Sequence, residues 1–154
     1  YKREIMADLE VFQADFALLF EAGLLAIKQG DEDSARKLFQ SLHILNPNHY
    51  GHDLGLALIS LHKMDLFDAE ERLSALIKGN EDNWSIKAFL SLTHMLIVLH
   101  QGSSFEVRRE SLESCLKFAD QVIANCKIES TRALAQSVLD WHDTLVAKSA
   151  GPLG

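Results

Sequence analysis

The chain has 154 residues, 47% of them hydrophobic, and a formal net charge of −7. That is enough apolar material for one domain with a packed core, and disorder is not the default for such a composition. The acidic balance disfavours polyanionic partners, nucleic acid and anionic membrane surfaces alike.

Apolar residues recur at helical spacing throughout, and no sustained alternation or Asn-Gly hairpin points to strands. Ile5, Leu9, Phe12 and Phe16 fall at i, i+4, i+7 and i+11, one face of a helix over about residues 3–13. The pattern leaves open whether this helix continues into the next, which spans about residues 15–29 and stops at Gly30. Asp31, Glu32 and Asp33 then place negative charge where a new helix dipole favours it, and Pro47 ends that helix near Asn46. Further helices are predicted over about 50–62, about 66–78 with a stop at Gly79-Asn80, and from Asn83-Trp84 to about His100. Gln101 to Ser104 reads as a loop, with Ser104 a candidate N-cap for a long helix over about 105–126. The last helix, about 129–148, carries Leu134, Val138, Trp141 and Leu145 at i, i+4, i+7 and i+11. The expected total is seven or eight helices.

Cys115 and Cys126 are eleven residues apart on one predicted helix. That is roughly 16 Å, beyond disulfide reach, so a reducing, cytoplasmic compartment is expected. The longest apolar run, Met95 to Leu99, is closed by His94 and His100, and no membrane span or signal-peptide core is expected. The opening on Tyr1 reads as a trimmed start. The tail Gly151-Pro152-Leu153-Gly154 reads as a cloning or protease-site scar and is left out of the fold.

Chemistry is sparse. His49 and His52 lie three apart near a helix start, but a third ligand would have to come from His43 or Asp53, and the spacing matches no zinc pattern. His94 and His100 read as polar residues at helix edges, and Asp68, Glu70 and Glu71 as a solvated face. Neither cysteine has the local context of a nucleophile, and no phosphate loop, G-x-S-x-G or H-E-x-x-H occurs. No catalytic residue, cofactor or metal is expected.

Self-similarity is more informative. Leu24, Asp31, Ala35 and Leu42 recur 34 residues later as Leu58, Asp65, Ala69 and Leu76. From Phe16 to Gly79, roughly half of the chain, the sequence resembles the tetratricopeptide (TPR) repeat. Gly23 and Ala57 match its small mid-helix residue, Ala35 and Ala69 its second small residue, Phe39 and Leu73 its large one, and Pro47 its closing proline. The resemblance implies an all-α TPR-like solenoid in one domain over 1–150. Its repeats would be at about 16–49, 50–83 and a degenerate 84–127, followed by the C-terminal helix. The third repeat starts at Trp84, keeps its apolar spacing through Leu90, Leu92 and Met95, and then departs from the pattern.

Leu18-Leu19-Phe20-Glu21-Ala22-Gly23, then Ala35 to Leu42, then Leu54-Gly55-Leu56-Ala57, look like the small TPR chaperones of bacterial type III secretion. In TPR proteins the first helix of each pair faces the concave side. The resemblance then implies an apolar groove of Phe20, Leu24 and Ile27, then Leu54, Leu58 and Leu61, then Ala88, Leu92 and Met95. Such a patch needs a cover: an amphipathic guest helix, or the chain's own terminal helix or a second copy. The implied partners are an export substrate, the needle subunit in preference to a translocator held as an extended segment, and a small helical co-chaperone. Self-association and a general TPR scaffold role remain open.

Overall fold

The computed structural model describes residues 2–149, with side chains described over 15–148. The tail 151–154 and the side chains of Ile5, Leu9 and Phe12 therefore lie outside the described residues. Among those residues the chain is all-helical: α1 (Lys2–Lys28), α2 (Glu32–Leu45), α3 (Gly51–His62), α4 (Leu66–Ile77), α5 (Trp84–Leu99), α6 (Phe105–Asn125) and α7 (Glu129–Ser149). The first two expected helices are one, α1. The chain divides into two compact units, Tyr1–Asp65 and Leu66–Gly154.

In the first unit α1, α2 and α3 pack on one another. The α2 start is set by Asp31, whose carboxylate accepts from the Ser34 N–H at 3.1 Å and from the Ser34 hydroxyl at 2.7 Å. Its inner face buries Ala35, Phe39 and Leu42 completely. Phe39 is the knob of this unit. A Cβ placed on Gly23 of α1 would lie 2.5 Å from its ring, and one on Gly55 of α3 would lie 2.4 Å away. Both neighbouring helices therefore close on the ring only because they present no side chain there. The glycine that matters on α3 is Gly55, two residues before the expected Ala57.

The turns that end α1 and α3 are copies 34 residues apart. Gly30 has φ 76° and Met64 φ 62°. The Gly30 N–H donates to Ile27 O and the Asp31 N–H to Ala26 O, at 3.0 and 2.9 Å. The Met64 N–H donates to Leu61 O and the Asp65 N–H to Ser60 O, again at 3.0 and 2.9 Å. Each is a Schellman closure, which needs a left-handed residue after the helix.

The second unit is built around α5, the most apolar helix, against which α4, α6 and α7 all pack. Asn83 caps its start by accepting from the Ile86 N–H, and Ser104 caps α6 by accepting from the Val107 N–H. The α5–α6 pairing is antiparallel, fixed by Lys87–Gln121, Ser91–Cys115 and His94–Ser111 hydrogen bonds. Arg132 near the start of α7 donates to Ile123 O and Cys126 O, serving carbonyls at the end of α6. On α7, Val138 and Ala135 are buried, Leu134 and Leu145 half-buried, and Trp141 sits at the edge with 37% exposure. Trp141 was expected on the inner stripe. The fully buried Ala135 takes the inward course instead, as a small residue lets α7 come close to α5.

Candidate functional site

The nine residues expected to line a groove fall into two groups by unit. In the first unit Ile27, Leu54, Leu58 and Leu61 are buried, while Phe20 and Leu24 on α1 are half-buried. The Phe20 ring leans on Phe39 at a centroid distance of 5.7 Å. In the second unit Ala88 is packed among Ala119, Val122, Cys126 and Ala135, and Met95 among Cys115 and Val138, with Leu92 and Leu145 alongside. Ala88 and Met95 have no exposed surface. The chain's own α6 and α7 thus cover the α5 row. Of the covers weighed from the sequence, the chain's own terminal helix is the one that lies on the α5 row. Leucines at helical spacing are core wherever a neighbouring helix reaches them.

Two exposed apolar surfaces were not anticipated. Leu18 and Leu25, two turns apart on α1, are 66% and 55% exposed. At one end of the second unit, Phe67 of α4, Leu99 of α5 and Phe105 of α6 are exposed. His100 meets the Phe67 ring edge-on at 6.3 Å. Phe67 and Phe105 occupy first-turn positions off the inner stripe of their helices. Periodicity alone therefore gives them no role, and the available signal was a large aromatic beside a helix start.

Two titratable groups are displaced from their expected settings. His94 is buried rather than at a helix edge, and Glu70 is its half-buried neighbour rather than part of a solvated face. His94 Nδ1 and Ser111 Oγ share a hydrogen bond at 3.2 Å, and Glu70 Oε1 lies 4.0 Å from Nε2. The His94 ring stacks on Phe118, and the Ser74 hydroxyl donates to Glu70. Burial pushes the His94 pKa below the usual imidazole range, with Glu70 pulling partly back. The Ser–His–Glu order has the outline of a nucleophile triad. Ser111, however, lies within α6, where neighbouring N–H groups are committed to helix bonds, so no oxyanion donors stand beside it. The cluster ties α4, α5 and α6 together. Cys115 is likewise held as a thiol, its pKa raised by burial against a smaller opposite pull from Ser91.

A concavity of about 440 Å³ lies at the α6–α7 turn, lined by Ile123, Lys127, Glu129, Arg132, Ala133 and Gln136. Its Arg132 is already committed to two carbonyls. Among the described residues no three His, Cys, Asp or Glu are placed to hold a metal ion, His49, His52 and Asp53 included. No described helix is long and apolar enough to cross a membrane. No protein-family model, no curated protein and no solved structure matches this chain.

Proposed function

We propose that the chain is a TPR-like chaperone of type III secretion, acting in the cytoplasm. It would hold an amphipathic helix of an export substrate, the needle subunit by preference, and so prevent premature self-assembly. The observation that carries the repeat reading is the duplicated Schellman turn, Gly30-Asp31 and Met64-Asp65, at the 34-residue step of the sequence. A backbone turn that recurs with the sequence period supports the repeat reading.

The support for a helical guest comes from α5. Its row Ala88, Leu92 and Met95 is covered by a helix, α7, through Ala135, Val138 and Leu145. The same row two repeats earlier holds Phe20 and Leu24, which keep exposed surface on α1. A guest helix with i, i+3, i+4 and i+7 anchors is the matching cover for that row.

Co-expression with the candidate substrates, followed by affinity capture, tests the reading. Leu24→Asp is expected to lose the captured chain while circular dichroism stays at the wild-type value. Leu58 is a poor probe because it is only 8% exposed, and a charge there would unfold the unit. Crosslinks to an extended segment would replace the needle reading with the translocator one. Unchanged capture by folded Leu24→Asp would remove α1 from the interface.

A further inference from the structure

The α2–α3 connection carries a histidine whose protonation state the surrounding geometry fixes. His49 Nδ1 accepts the Gly51 backbone N–H at 2.9 Å. Gly51 is the first residue of α3, and the N-cap residue Tyr50 makes no side-chain capping bond. Among the described residues, His49 is therefore the side-chain acceptor that serves the amides at that helix start. The same imidazole is the seat for α1. The Phe16 ring meets it edge-on at 4.2 Å, and Tyr50 stacks on it at 4.4 Å. A Cβ on Gly51 would lie 2.7 Å from the Phe16 ring, so Phe16 is lodged between His49 and bare α3 backbone.

We propose that His49 is a proton-operated latch between α1 and α3. Neutral, with its proton on Nε2, it caps α3 and seats Phe16. With a proton on Nδ1 it turns a donor toward the Gly51 N–H and loses that bond. The new positive charge also sits at the N-terminal end of α3, where the helix dipole is already positive. Burial acts in the same direction, holding the His49 pKa below the usual imidazole range.

Other titratable and charged groups stand on the elements around the latch. On α2, His43 stands 5.0 Å from His52 of α3, ring to ring. The carboxylate of Asp53, also on α3, lies 3.5 Å from His52 Nδ1. On α1 the charged residue beside Phe16 is the exposed Asp15. The sign follows from the lowered pKa: the latch is fully closed above the unfolded imidazole value, near 6.5, and opens as pH falls below it.

The test is NMR of the full chain titrated from about pH 8 to about pH 5. It follows the His49 Cε1–H shift, the Phe16 ring protons and hydrogen-exchange protection of the first α3 turn. One proton taken up on opening lowers that protection by up to about tenfold per pH unit between the unfolded imidazole value and the lowered folded one, and the loss levels off below that. His49→Asn retains an acceptor for the Gly51 N–H but does not titrate, and its protection is expected to stay flat. The wild-type shifts alone decide the matter should this variant not fold. A His49 that titrates at or above the usual imidazole value overturns the latch. So does one that titrates with Phe16 and the α3 amides unmoved.

Discussion

Met64 is a residue in the wrong conformation for its type. It occupies the left-handed region at φ 62°, where the residue 34 positions earlier is Gly30 at φ 76°. A side chain there costs roughly 1–2 kcal/mol through the clash of Cβ with the following carbonyl. Met64 is 56% exposed, so its side chain returns little through burial. Met64→Gly is therefore expected to stabilise the chain by about 1 kcal/mol, less a few tenths for the added freedom of the unfolded state. Thermal or denaturant unfolding checks the sign, and a destabilised variant would mean that Met64 makes contacts outweighing its strain. At this scale the sequence was only partly legible. The stop at Gly30 followed from the residue type, whereas the identical turn at Met64 is hidden because no glycine marks it. Gly55 was missed for a related reason: the repeat step pointed to Ala57, whereas the Phe39 ring meets α3 two residues earlier, on the face that Gly55 presents.

Helix ends were the most legible elements, because residues such as Asn46-Pro47, Asn83 and Ser104 act locally and need no tertiary partner to act. The α6–α7 turn has no such marker. It is closed across the junction by Arg132, which reaches back to Ile123 O and Cys126 O. A guanidinium serving two carbonyls at a helix end also meets the negative pole of that helix. Arg132→Ala leaves those acceptors with water alone and is expected to cost about 1.5–3 kcal/mol, the range for hydrogen bonds to a charged group. Arg132→Lys recovers only part, because an ammonium lacks the planar fork. Chemical denaturation of the three proteins measures both steps, and equal stability of all three would show that the turn is held by its apolar contacts instead. His94 was illegible for a comparable reason. Its burial depends on Ser111, Glu70 and Phe118, each on a different stretch of sequence, and a single polar residue in an apolar run looks like an edge until those partners are placed.

For the whole molecule, the open question is whether α7 is core or a removable cover. The sequence offered the chain's own terminal helix as a cover, and an apolar stripe fits a permanent helix and a displaceable one equally well. The structure gives a physical basis for choosing. α7 buries Ala135 and Val138 against Ala88 and Met95, which have no exposed surface, and Arg132 fastens its start to α6. A fully buried valine or leucine alone contributes about 1.5–3 kcal/mol, and half-buried Leu134 and Leu145 add to this. A domain with net stability of roughly 5–15 kcal/mol does not survive losing several such contacts together with the water-exclusion they provide. Truncation after residue 128 is therefore expected to abolish cooperative unfolding of the Leu66–Gly154 unit and to expose dye-binding apolar surface. A removable cover behaves in the opposite way: the truncated chain stays helical, melts cooperatively and captures a guest helix more tightly, because Ala88, Leu92 and Met95 become available. Calorimetry and guest capture on one truncated protein separate these outcomes. The core reading would confine the proposed guest to the half-buried row on α1, Phe20 and Leu24, which is why that row, and not the α5 row, carries the binding test.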